Sequence, residues 1–153
     1  MIFIMPAKEF RNMTLNPEDK DSGRKRCYCY VPISSIPAHL RNYVVGVEEE
    51  QPAIDKIAEW MEHEPEHFHM LAPKLVLNTS RFVFDNRKNK LKFELEDLET
   101  QGVICGANTL LAVLDNRKEC SSDTPDGEVY IELEILSGLS KEEIDKIVEM
   151  RKF

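Results

Sequence analysis

One stretch constrains this chain more than any other: Gln101–Arg117, Q-G-V-I-C-G-A-N-T-L-L-A-V-L-D-N-R. Val103 and Ile104 read as the end of a buried strand, and Gly106 supplies a position without the limits that a Cβ sets on φ. Asn108 or Thr109 is a good N-cap. Leu110, Leu111, Val113 and Leu114 then make an apolar helical face, closed by polar Asp115, Asn116 and Arg117. A strand that feeds a glycine turn into a helix gathers free N–H groups and a positive dipole end at one point. Such a point serves as a phosphate site or simply as a tight turn.

Taken in order, the rest of the chain alternates short apolar runs with polar links. Strands are expected near 2–5, 27–33, 43–47, 75–84, 91–96, 102–105 and 129–136, and helices near 52–64, 108–117 and 140–151. Lys8–Arg26 is polar and turn-rich and reads as an exposed loop ending in the basic triplet Arg24-Lys25-Arg26. Ile54, Ile57, Ala58 and Met61 recur at helical spacing behind Pro52, which suits a first helical turn. Leu75–Phe84, with Leu75 and Leu77 and then Phe82 and Phe84, and Leu91–Leu95, with Leu91, Phe93 and Leu95 alternating, flank Asp85–Lys90 and predict a β-hairpin. Ser140-Lys141-Glu142-Glu143 is a capping box ahead of Ile144, Ile147 and Val148. The apolar faces of the two later helices are expected to cover one side of the sheet.

Two motifs invite catalytic readings. His63-Glu64-Pro65-Glu66-His67 has the letters of a zinc-protease helix, but that chemistry needs both histidines on one unbroken helix, and Pro65 breaks it. His67 and His69 have no acid or thiol placed by sequence to complete a metal site. The 4 cysteines include Cys27-Tyr28-Cys29, which is C-x-C and reads as strand thiols on one face. Cys105, just before the glycine turn, is read as a small apolar filler rather than a nucleophile.

A length of 153 residues suits one domain with one core, and no run reaches the ~18 apolar residues of a membrane span. The opening Met1–Met5 is apolar but is stopped by Pro6 and Lys8, so it reads as a strand rather than a signal peptide. The expected location is cytoplasmic. A net charge of −8 argues against a surface dedicated to non-specific duplex binding.

Phe68-His69-Met70-Leu71, the hairpin around Phe82–Asn86 and Leu91–Phe93, the turn Gln101–Thr109, and Leu136-Ser137-Gly138-Leu139 before a helix together resemble the abortive-infection phage-resistance (AIPR) family. The resemblance runs from Arg26 to Arg151 and implies one AIPR-like amino-terminal domain over 1–153, with 1–25 as a variable segment and loop. The implied fold is α+β or α/β, a mixed sheet with three helices and a core similar to ParB/sulfiredoxin-like (DGQHR-type) domains. In those domains the glycine turn and helix start hold nucleotide phosphates, and neighbouring polar residues support phosphoryl-transfer or nuclease chemistry.

This chain departs from the pattern where chemistry would sit. The family's Asn-Arg-Gly-Ile is replaced by Ala72-Pro73-Lys74-Leu75, and its Asp-Gly-Gly-His-Thr by Cys105-Gly106-Ala107-Asn108-Thr109. Lys74 can restore the charge of the arginine as a point, not as a fork. The reading that follows is a non-enzymatic domain without catalytic residues, metal or cofactor. It would bind a protein partner in phage–bacterium conflict as regulator or inhibitor of a defence system. Glu48, Glu49, Glu50, Glu94, Glu96, Asp97 and Glu99, with Asp123–Glu128, would supply an acidic contact surface. The alternative is a nucleotide- or nucleic-acid-binding module that uses Gly106, Ala107, Asn108, Thr109 and Lys74, with Arg24–Arg26 behind them. A third is an enzyme with re-invented residues, led by Cys105 or His67 and His69.

Overall fold

A computed structural model describes residues 1–45 and 49–151, the Glu119 side chain excepted. The alternating runs form two sheets. β1 (Ile2–Pro6), β6 (Lys90–Glu94) and β5 (Arg81–Asp85) make an antiparallel sheet in the order β1-β6-β5. A five-stranded sheet has the order β2 (Lys8–Asn12), β3 (Lys25–Pro32), β8 (Tyr130–Ser137), β4 (Leu75–Thr79) and β7 (Gly102–Cys105). Among these strand pairs β4 and β8 run parallel and the others antiparallel, so the sheet is mixed. The α-helices are α1 (Pro17–Asp21), α2 (Gln51–His63), α3 (Phe68–Leu71), α4 (Ala107–Asn116) and α5 (Lys141–Met150). The fold is α+β, as expected, with more helices than the three read from sequence.

The main core lies between the two sheets. Phe3, Met5, Leu91 and Phe93 face it from the smaller sheet, and Cys29, Val31, Ile131, Leu133, Ile135, Leu75 and Leu77 from the larger one. Phe3 stacks on Phe93 at 4.9 Å between centroids, within the range in which aromatic pairs add to simple burial. Ile54, Ile57 and Met61 of α2 and Leu110, Ala112 and Val113 of α4 close the same core, one helix packed on the other. A second, smaller core of Val76, Ile104, Leu136 and Ile144 lies on the opposite face of the five-stranded sheet, under α5. The two later helices therefore sit on opposite faces, not on one side. Period-2 alternation makes this possible, because Leu75 and Leu77 point one way and Val76 the other.

Several local expectations change. The run 75–84 is two strands in two sheets, split at Ser80, whose N–H and hydroxyl both donate to the Glu94 carbonyl. The hairpin is therefore β5–β6, with Phe82 opposite Phe93 and Phe84 opposite Leu91. Lys8–Arg26 is not a loop: it contains β2, α1 and the start of β3. Phe10, the apolar residue of β2, stacks on Phe84 at 4.6 Å between centroids. Of the strand expected at 43–47, Tyr43 ends a 3₁₀ turn, Val44 makes one parallel bridge to Val103, and the remainder falls partly outside the described residues. Gly106 itself is the N-cap of α4, at φ 87, so neither Asn108 nor Thr109 has that role. The capping box at Ser140 and Glu143 forms as expected, with both reciprocal bonds at 3.2 Å.

Gly106 has no alternative. A Cβ there would overlap the Lys74 carbonyl oxygen, and φ lies in the left-handed region as well. Gly127 also has positive φ but faces open space. In urea denaturation, Gly106→Ala is expected to cost about 3 kcal/mol or more, against about 1 kcal/mol for Gly127→Ala, where only backbone strain is added.

Candidate functional site

The outward face of the five-stranded sheet carries the chemistry. Along β8, Tyr130, Glu132, Glu134 and Leu136 alternate with the core residues, so they share this face. Leu136 is covered by α5, whereas Glu134 is fully buried yet charged. Its carboxylate meets Lys74 Nζ at 2.8 Å on one oxygen. The other oxygen meets Arg151 Nη1 at 2.8 Å and Arg26 Nε at 3.5 Å. Tyr28 sits among these cations: its hydroxyl is hydrogen-bonded by Arg26 and approached by Lys74 Nζ at 3.4 Å, and the ammonium lies 4.7 Å from the ring centroid. Burial pushes the Glu134 carboxyl up. The hydrogen bonds and charges of Lys74 and Arg151 outweigh burial and hold it below the usual glutamate range. Burial likewise depresses Lys74, and its bond to Glu134 more than reverses the effect.

This network lies beside the glycine turn. Gly106 rests against the Lys74 carbonyl, and Cys105 pairs with Val76 across β4 and β7. The segments 72–75 and 105–109 thus stand next to each other. The ammonium of Lys74 is directed at Glu134, Ala107 and Thr109 are buried, and Asn108 Oδ1 accepts the Glu50 N–H at 3.1 Å, joining the starts of α2 and α4. Thr109 Oγ1 has no hydrogen-bond partner among the described residues. Burial pushes the Cys105 thiol up, as it does Cys27, and it takes Cys29 to about 12. At neutral pH these are thiols, not thiolates.

The acidic residues differ in their surroundings. Glu48 lies outside the described residues, and Glu49 and Glu50 are exposed just before α2. Glu94 is paired with Arg81 at 2.6 Å. Asp97 is committed to its own turn, accepting from the Glu99 N–H at 3.1 Å and the Thr100 hydroxyl at 3.1 Å, while Glu96 and Glu99 face solvent. Of the basic triplet, Lys25 and Arg26 open β3, and Arg24, just before it, reaches Glu143 at 2.9 Å. His63 ends α2, Pro65 begins a 3₁₀ turn, and His69 lies edge-on to Tyr30 with centroids 5.3 Å apart. Among the described residues no group of His, Cys, Asp and Glu is arranged to hold a metal ion.

At the far end of the same face lies a cleft of about 580 Å³, within the usual range for ligand sites of about 300–1,000 Å³. Tyr30, Tyr130, His69, Pro65 and Pro125 line it, together with Lys8 and the carboxylates of Glu9, Glu66, Asp126 and Glu128. Asp126 accepts the Tyr130 hydroxyl at 2.6 Å, the Thr124 hydroxyl at 2.9 Å and the Glu128 N–H at 3.0 Å. These bonds, the tyrosine's first, lower its pKa to about 2. Neither Glu134 nor the cleft was identified from sequence. The available signal was the alternation Tyr130-Ile131-Glu132-Leu133-Glu134-Ile135, which puts acids on one face of a strand that turns out to be central.

The chain matches no family model, no curated protein and no solved structure. Among the described residues no helix is long and apolar enough to cross a membrane.

Removing one partner of a buried ion pair strands the others. Glu134→Gln is expected to lose about 3–5 kcal/mol of stability at neutral pH. Because the folded carboxyl is held below its ordinary value, this contribution is complete above about pH 5 and disappears as pH falls through the lowered value. The urea midpoints of the native protein and the variant, measured from pH 7 downward, are therefore expected to converge in acid.

Proposed function

We propose that this chain is a non-catalytic, AIPR-like domain that works by binding a protein partner in phage–bacterium conflict, as a regulator or inhibitor of a defence system. The observation that carries the reading is the ion-pair network at Glu134. The resemblance puts phosphate and metal chemistry on the segments 72–75 and 105–109. In this chain those segments adjoin, and the cation available between them, Lys74, is neutralised by a buried carboxylate at 2.8 Å. A second charge on the same carboxylate comes from Arg151 at 2.8 Å. An incoming phosphate would have to displace a fully buried anion and leave it uncompensated, which costs more than a surface phosphate contact returns. A surface of net charge −8 is better matched to a basic protein face than to a nucleic acid.

Pull-down with the purified chain from the source cells, with calorimetry against ATP on the same preparation, tests this reading. A stoichiometric protein partner and no saturable heat with ATP are expected. Micromolar ATP binding that is lost in Lys74→Met would overturn the proposal and make the Gly106 turn a phosphate site.

A further inference from the structure

The aromatic and acidic cleft at the end of β3 and β8 already contains a cation. Lys8 Nζ lies 3.9 Å from the Tyr130 ring centroid and 3.8 Å from Asp126 Oδ2. Its side chain remains 51% exposed, so the contact is an open surface pair of the kind that exchanges readily. The cleft is much larger than one ammonium group. Its described lining has four carboxylates, from Glu9, Glu66, Asp126 and Glu128, against the one ammonium of Lys8. Tyr30 offers a second aromatic ring on the same wall. Rings that accept a cation on their faces, with fixed carboxylates at the rim, select ammonium and guanidinium groups over neutral ones.

We propose that this cleft receives a basic side chain, foremost an arginine, carried on a segment of a partner protein, and that Lys8 occupies the place until the partner arrives. The identity of the occupant follows from charge complementarity and from the lysine already seated there. A guanidinium stacks on tyrosine and spreads its N–H donors in a plane, so it can meet Asp126 Oδ2 and a neighbouring carboxylate at once, which an ammonium does less well. The inference rests on the protein-binding reading above and names the kind of residue that reading requires. Asp126 is suited to the task because its loop holds it independently of Lys8: the Ser122 hydroxyl donates to the Glu128 carbonyl at 2.7 Å and the Gly127 N–H to the Thr124 carbonyl at 2.9 Å.

The test is an NMR titration of the isotope-labelled full chain with the blocked peptide acetyl-Ser-Gly-Arg-Gly-Ser-amide. Its citrulline counterpart and free spermidine serve as comparisons. Saturable shifts at Tyr30, His69 and Tyr130 are expected with the arginine peptide and not with the citrulline one. Lys8→Ala is expected to tighten binding by about threefold, the scale on which an exposed ion pair contributes. Asp126→Asn is expected to abolish it. Should that variant disturb its loop, Tyr130→Phe keeps the ring and is expected to bind, while Tyr130→Leu is not. Equal binding of the citrulline peptide, weaker binding by Lys8→Ala, or no saturation at millimolar peptide would overturn the proposal. Tighter binding of spermidine than of the peptide would overturn the protein-borne occupant. A partner captured equally by native protein and Asp126→Asn would leave the binding function standing and remove this cleft from it.

Discussion

The interaction on which the larger sheet depends is the buried carboxylate of Glu134. An ionised group without solvent costs several kcal/mol unless its charge is met, and here it is met from three parts of the chain. Lys74 comes from the residue before β4, Arg26 from β3 and Arg151 from just beyond α5. The pairing therefore fixes the order of strands around β8 and holds the end of the last helix onto the sheet. Apolar packing at that end is modest: among the described residues, the second core buries Val76, Ile104, Leu136 and Ile144. The ion pairs make the position of α5 specific where contact area alone would leave it loose.

A sheet with two faces of different character follows from the same arrangement. Toward the smaller sheet, β3, β4 and β8 present apolar residues, and Glu134, the one buried charged side chain among the described residues, lies on the other face. Away from it, β3 presents Arg26, Tyr28 and Tyr30, and β8 presents Tyr130, Glu132 and Glu134. Only part of that face is covered, by α5 at one end and by the short α3 with its preceding turn at the other. The polar residues are therefore graded by cover. Glu134 is locked where the helix end closes over it, and the tyrosines stand at the border of solvent.

Elements with strong periodicity were legible in the sequence. β8, the hairpin around Asp85–Lys90, the apolar face of α2, and the capping box of α5 all have residues whose spacing states their role. What was missed had no such spacing. β2 has the sequence K-E-F-R-N, in which Phe10 is the one apolar residue, and as an edge strand it needs no second buried face. The break at Ser80 is a single bend inside an otherwise continuous run, and only the Glu94 carbonyl, fourteen residues on, explains it. Asn108 looked like a cap because its side chain accepts hydrogen bonds. In the fold it accepts one from Glu50, a contact fixed by how α2 and α4 pack. The candidate site divided in the same way: the glycine turn was visible from Gly106, but the carboxylate that takes up Lys74 was hidden inside a strand.

The two acids of this face differ in what their surroundings allow. Glu134 has 0% of its side chain exposed, and although Lys74 and Arg151 each remain 31% exposed, removing either leaves a buried charge short of a partner. Asp126 is held as firmly by hydrogen bonds, but its side chain is 45% exposed and its cation is a flexible lysine in solvent. Neutral donors fix its position while water screens the charge, so one cation can replace another at little cost. Strong hydrogen bonding and poor burial together make a carboxylate that stays ionised and stays available. Strong ion pairing and full burial make one that serves structure alone. The same strand supplies the first with Tyr130 and contains the second as Glu134, and the solvent boundary between them separates a surface suited to recognition from a site closed to it.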